Sequence, residues 1–224
     1  MGKLTDATPK PLLEVAGRPL IEYVIERIAT TGIHQLVINL AYLGEQIADR
    51  LGDGSRYGVN IEYSREPYPL ETGGGILNAL PLLGNQPFLV INADVWCDMP
   101  LHGLIERGLR PGELGHLVLV DNPGHNPAGD FSWAATDEES PYAGVERLLG
   151  RGEGELLTYS GIAILHPRLV SEYPKKREVF PLLEAFEYAI SKQALSGQYA
   201  SCDWRDIGTP ERLASLEHHL LLTK

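Results

Sequence analysis

Four short segments carry residues able to do chemistry. Thr8-Pro9-Lys10-Pro11-Leu12-Leu13 sets one lysine between two prolines, which hold the backbone extended and present the ammonium at a fixed place. A lysine so held can meet a phosphate as a point charge; alone, the same tripeptide reads more readily as a solvated loop lysine. In Leu70-Glu71-Thr72-Gly73-Gly74-Gly75-Ile76, three successive glycines open a helix. Glycines there let a ligand approach the backbone, and the helix dipole favours an anion. A turn explains one or two of them, but three weaken the helix they begin. Asn92-Ala93-Asp94 and Trp204-Arg205-Asp206-Ile207-Gly208-Thr209-Pro210 each place an aspartate just beyond an apolar strand. Carboxylates at strand ends face the ligand crevice of open α/β sheets, although an aspartate in such a turn also serves as a cap. Two that converge make an oxygen site of the kind Mg²⁺ takes when a substrate phosphate supplies the other ligands.

The elements that must position these residues follow from apolar periodicity, which switches repeatedly between strand-like and helix-like. Pro19 opens a helix with Leu20, Val24 and Ile28 on one face and Ile21 and Ile25 beside it, closed by Gly32. Gln35 to Leu40 reads as a buried strand, Glu45 to Leu51 as a short helix and Val59 to Tyr63 as a strand. A helix begins after Thr72, and strands are expected over Phe88 to Asn92 and Leu117 to Val120. From Phe131 to Glu155 the pattern weakens into an acidic, glycine-rich meander with a hairpin. Leu156 to Leu165 is a long strand, Phe180 to Ile190 a helix and Tyr199 to Trp204 a strand, and Thr209-Pro210 caps a last helix bearing Leu213, Leu216 and Leu220. With no repeat or linker, residues 1–224 read as one α/β domain: Rossmann-like and doubly wound, its sheet mostly parallel with helices on both faces, and with an inserted β meander.

The composition narrows the partners. A formal net charge of −11 argues against nucleic acid and anionic membranes, which reward positive surface, while leaving small phosphorylated ligands open. The two cysteines, Cys97 and Cys202, have no metal or disulfide spacing and read as small hydrophobes. His102, His116, His125, His166, His218 and His219 form no ligand pattern; His125 alone falls in a loop of interest. Trp96 reads as a packing residue. No Gly-x-Ser-x-Gly elbow supports a hydrolase. No leader or apolar run of membrane length occurs, so the expected setting is cytoplasmic.

Taken together and in order, the four segments resemble the signatures of the sugar-1-phosphate nucleotidyltransferases over nearly the whole chain. Val120-Asp121-Asn122-Pro123-Gly124-His125, Gly129-Asp130-Phe131 and Tyr159-Ser160-Gly161-Ile162 resemble the stretches around the sugar site of the family's uridylyl-transferring cell-wall recycling branch. Guanylyl- and thymidylyl-transferring members share most of these motifs. The resemblance implies the nucleotide-diphospho-sugar transferase fold, a nucleoside triphosphate and a sugar-1-phosphate as substrates, and Mg²⁺ held by Asp94 and Asp206. It further implies Lys10 at a phosphate, Glu71, Thr72, Gly73 and Gly74 at the nucleotide, and Asn122, Asp130, Ser160 and Gly161 at the sugar. The oligomeric state is open between monomer and homodimer. Family members also carry an apolar strand and a glycine-rich phosphate loop ahead of the Pro-Lys-Pro segment, where this sequence starts Met1-Gly2-Lys3-Leu4. The expectation is therefore a strand-sized gap between the strands led by Gln35 and Phe88, with a non-catalytic nucleotide- or sugar-phosphate-binding protein as the alternative function.

Overall fold

The structure is a computed structural model and describes residues 4–135, 146–150 and 156–222. In chain order its strands and helices begin with β1 (Glu14–Val15), β2 (Arg18–Pro19), α1 (Leu20–Ala29), β3 (Gln35–Leu40), α2 (Gly44–Leu51), β4 (Asn60–Arg65) and α3 (Glu71–Leu83). The middle of the chain supplies β5 (Phe88–Ile91), β6 (Val95–Cys97), α4 (His102–Arg107), β7 (Gly115–Val120), β8 (Phe131–Ala135) and β9 (Glu146–Gly150). It ends with β10 (Leu156–Leu165), α5 (Arg168–Ser171), α6 (Leu182–Ser191), β11 (Leu195–Tyr199), β12 (Trp204–Asp206) and α7 (Pro210–Leu222). The α/β alternation is the expected one. The chain divides into two compact units, Met1–Pro69 with Asn92–Leu101 and Asp203–Lys224, and Leu70–Ile91 with His102–Cys202.

In the first unit β3 and β4 are parallel, paired from Gln35 opposite Asn60 to Leu40 opposite Arg65. The apolar stripe of α1 is the reason that helix docks. Its Ile21 and Ile25 bury with Leu36 and Leu40 of β3, Ile47 and Leu51 of α2, and Val59 and Ile61, each side chain contributing roughly 1.5–3 kcal/mol. A second cluster, Leu13, Val15, Leu20, Ile207 and Leu216, packs with Trp96, Leu213 and Leu220. It fixes the backbone just after Lys10 and just after Asp206, so packing rather than local propensity positions both. Trp96 is thus the packing residue it was expected to be. β12 runs antiparallel to β6, a short strand that the sequence pattern did not reveal.

The second unit holds a mixed six-stranded sheet in the order β5-β10-β7-β11-β9-β8, with β10 also pairing β8. β7 is buried along its whole length, runs parallel to β11 and antiparallel to β10. Among the described residues β3 is bonded within its own unit by β4, and β5 ends the six-stranded ladder, bonded by β10. Of the expected meander over 131–155, β8 and β9 form an antiparallel pair, while 136–145 and 151–155 lie outside the described residues. One expectation is corrected. The single strand from Tyr199 to Trp204 is two strands in separate sheets, β11 ending at Tyr199 and β12 starting at Trp204. Ser196, Gly197 and Gln198 hide β11 from a periodicity search, because tertiary partners rather than apolar side chains stabilise it.

Those partners form a buried polar knot. Arg107, at the end of α4, donates to both carboxylate oxygens of Glu113 at 3.0 and 2.8 Å and to Ser196 Oγ at 3.1 Å. The Ser196 hydroxyl donates to Glu113 at 2.6 Å. His116 Nδ1 lies 2.8 Å from Ser196 Oγ, and its Nε2 lies 3.0 Å from the Gln198 side-chain oxygen. Burial by itself would raise the Glu113 pKa, but the bonds from Arg107, Ser196 and the Arg110 N–H outweigh it and hold the group below its usual value. Mutual satisfaction is what makes so polar a core tolerable.

Candidate functional site

The first unit gathers Lys10, Asp94 and Asp206. Lys10 opens a 3-10 turn closed by Leu13 N–H donating to the Lys10 carbonyl at 3.1 Å, and its Nζ donates to Asp94 Oδ2 at 2.5 Å. Asp94 lies in the turn made by Val95 N–H donating to Asn92 O at 3.2 Å. Asp206 stands opposite Val95 in the β6–β12 ladder, and the next residue, Ile207, donates its N–H to the Asp94 carbonyl at 2.9 Å. The two aspartates, far apart in sequence, are therefore brought to neighbouring positions at one end of the same ladder. Both side chains are about a third exposed, 34% for Asp94 and 28% for Asp206. Asp206 is held by Arg212, whose Nη1 donates to Oδ2 at 2.7 Å. Thr209 caps α7 as expected, its Oγ1 accepting from the Arg212 N–H at 3.3 Å.

Two carboxylates offer hard oxygen donors, and among the described residues no group of three acids, histidines or cysteines could hold a metal. A divalent cation here would take its remaining ligands from water and substrate phosphates. Mg²⁺ is ordinarily bound in that way, so the residues fit it on those terms.

The second unit holds the other expected site residues in two groups. Glu71 and Thr72 are exposed at the start of α3, and Glu71 adopts a left-handed φ of 62°, a strained conformation for a residue with a side chain. Gly73 and Gly74 are buried, and here the reason for the glycines is corrected. A Cβ on Gly73 would fall 2.5 Å from the Phe180 ring, and one on Gly74 only 2.1 Å from the Glu178 carbonyl oxygen. Gly74 N–H donates to Phe180 O at 3.1 Å. The room left by the missing side chains is filled by this protein's own segment around Phe180, so the glycine spacing alone is no argument for a ligand.

Asn122 and Asp130 are bonded to the first half of β10, and Ser160 and Gly161 follow at its middle, with Ser160 fully buried and its Oγ accepting the Ile162 N–H at 3.2 Å. Asn122 donates to Leu156 O at 2.7 Å and accepts from Thr158 Oγ1 at 2.9 Å. Asn126 donates to Asp130 Oδ1 at 3.1 Å and to Thr158 Oγ1 at 3.2 Å, and Asp130 Oδ2 accepts the Tyr159 N–H at 2.9 Å. Between Tyr159 and Ala163 the register against β7 shifts, with Gly161 at φ +80°. The irregularity needs a glycine where φ is positive. Sequence reasoning missed Asn126 and Thr158, which link Asn122 to Asp130 and carry no motif signal. It also missed Arg212, which did carry one: a basic residue in a first helical turn, where acids are favoured.

The model of the family described as nucleotidyl transferase matches residues 2–222. The chain belongs to the nucleotidyl transferase family. As a nucleotidyl transferase it is 45% identical, over 95% of its own length and 90% of the other's, to an N-acetylmuramate alpha-1-phosphate uridylyltransferase from Neisseria meningitidis serogroup B. It is 32% identical to a mannose-1-phosphate guanylyltransferase from Mycobacterium tuberculosis, of which it spans 57%. In fold, this nucleotidyl transferase resembles HddC from Yersinia pseudotuberculosis solved with GMP-PN, at a TM-score of 0.74, covering 98% of this chain and 93% of that one with 20% identity.

Proposed function

We propose that this protein transfers a uridylyl group from UTP to a sugar-1-phosphate, N-acetylmuramate-1-phosphate, with Mg²⁺ and release of pyrophosphate, in cell-wall recycling. The observation that supports this choice of nucleotide and sugar is the 45% identity to the meningococcal uridylyltransferase over 95% of the chain. The sugar's phosphate oxygen is already an anionic nucleophile, so no serine, cysteine or histidine is needed to activate it. A bond forms from that oxygen to the α-phosphorus as the bond to pyrophosphate breaks. The protein's task is to align two polyanions and offset their charge.

Asp94 and Asp206 are assigned to Mg²⁺, which when bound neutralises phosphate oxygens and orients them. Lys10, held beside Asp94 by its proline-flanked turn, is assigned to a phosphate. Glu71, Thr72, Gly73 and Gly74 are assigned to the nucleotide, with the exposed Glu71 and Thr72 as the contacts open to it, and Asn122, Asp130, Ser160 and Gly161 to the sugar. The reading carries a cytoplasmic setting, where nucleoside triphosphates are made; among the described residues no helix is long and apolar enough to cross a membrane.

Guanylyl transfer to mannose-1-phosphate is the competing reading, supported by the 32% relative. Pyrophosphate release separates the two. UTP with N-acetylmuramate-1-phosphate should far exceed GTP with mannose-1-phosphate and dTTP with glucose-1-phosphate. Preference for another pair would refute the substrate assignment. No release from any pair by folded protein, with nucleotide binding retained, would favour the non-catalytic binding protein.

A further inference from the structure

We propose that Arg212 is a built-in counter-ion for Asp206, holding that carboxylate when no divalent cation is present and yielding it when one binds. The inference rests on the assignment of Asp94 and Asp206 to a cation. Three features of the first unit support it independently.

The first is charge balance. Each of the two carboxylates already has a cation on it, Lys10 on Asp94 at 2.5 Å and Arg212 on Asp206 at 2.7 Å. A divalent ion meeting two neutralised carboxylates is bound weakly unless at least one partner leaves. An arginine stays protonated at every working pH, so it must leave by moving, not by losing a proton. With its side chain 30% exposed, Arg212 has solvent to move into.

The second is position. α7 starts at Pro210, so Arg212 lies in its first turn, where the helix dipole disfavours positive charge. Its backbone N–H is engaged by the Thr209 cap, and its guanidinium turns away from the helix, back over the preceding loop to Asp206. A carboxylate there compensates for a placement the helix alone would not favour.

The third is Gly208. A Cβ at this position would lie 2.5 Å from Arg212 Nη2, 3.1 Å from its Cζ and 3.3 Å from Asp206 Oδ2. The φ of Gly208 is not in the left-handed region, so its backbone conformation does not demand a glycine. The guanidinium lies against the chain here on its way to Asp206, so a side chain at 208 would have to displace it.

Cation affinity tests this without any turnover. Trp96 and Trp204 lie two residues from Asp94 and Asp206 on the paired strands, so they can sensitise Tb³⁺ luminescence, and Mg²⁺ competition then reports Mg²⁺ affinity. Arg212→Met should raise that affinity roughly two- to fivefold, the factor expected for losing one partly exposed ion pair. Gly208→Ala keeps the positive charge but evicts it from Asp206, and should raise affinity by a smaller factor. In an Asp206→Asn background, Arg212→Met should give no gain, since the pair it breaks is already gone. Thermal melts check that each variant folds, and Gly208→Ala carries the test if Arg212→Met does not. Unchanged or weaker binding in the Arg212 and Gly208 variants, with Asp206→Asn still weakening it, would overturn the counter-ion role and leave the two-carboxylate assignment standing. If the unmodified protein binds neither ion, and Asp94→Asn and Asp206→Asn change nothing, that assignment itself fails and the counter-ion role with it.

Discussion

Mild acid should destabilise the second unit through one buried imidazole. His116 on β7 is 1% exposed and faces Arg107 from α4, Arg110 and Glu113 from the turn before β7, and Ser196 and Gln198 from β11. Burial, and after it the positive charge of Arg107, pushes the ring down to about 4 from its ordinary 6.5; the bond to Gln198 and the charge of Glu113 oppose this without reversing it. As pH falls through the ordinary range the unfolded chain gains a proton that the folded chain refuses, so stability falls with pH. The contribution of the neutral ring is fully present above 6.5 and is lost progressively as pH drops to about 4.

That interval corresponds to ~3 kcal/mol in full, and to ~2 kcal/mol between about pH 7 and about pH 5. Glu113, held below its usual range, keeps its contribution through this window and loses it only at lower pH. His166, lowered by burial and then by Arg168, acts in the same direction but is far less enclosed, so a His166→Gln control belongs in the set. The assay is urea unfolding at both pH values for the unmodified protein and His116→Gln. The unmodified protein should lose ~2 kcal/mol more than the variant on acidification. Equal losses would refute the reasoning, since they would mean that the ring keeps its proton in the folded state.

Asp94→Asn and Asp206→Asn should each lower pyrophosphate release by on the order of 100-fold with unchanged circular dichroism; full activity in either removes that residue from the cation site. Gly74→Ala drives a Cβ against the backbone oxygen of Glu178, which no rotamer can relieve, and should cost ~1–3 kcal/mol in urea unfolding. No loss would show that the segment around Phe180 lifts away freely. Tyr159 Oη is buried without a hydrogen-bond partner among the described residues. Tyr159→Phe should therefore stabilise by up to ~1 kcal/mol, and a destabilised variant would reveal a partner for the hydroxyl.

Elements whose stability comes from their own apolar pattern were legible in the sequence. β3 and β10 run over the residues expected, Gln35–Leu40 and Leu156–Leu165, because each is dominated by apolar and β-branched residues, although only Leu36 and Leu40 of β3 are buried. The Thr209-Pro210 start of α7 was equally readable, since cap and first turn are neighbours in the chain. β11 was not, because its serine and glutamine are satisfied by Arg107, Glu113 and His116 from elsewhere in the fold. The site divides in the same way. Residue types and local spacing made Lys10, Asp94 and Asp206 candidates, and only the four segments in order, through the family they resemble, gave those candidates roles. That Lys10 sits on Asp94 across 84 positions, that Asp94 and Asp206 end the same ladder, and that Phe180 and Glu178 fill the space beside Gly73 and Gly74 were decided by tertiary structure alone. A sequence records which surface each segment must bury and where the backbone needs room; which distant segment meets that surface, or fills that room, depends on contacts that exist only once the chain has closed its long loops.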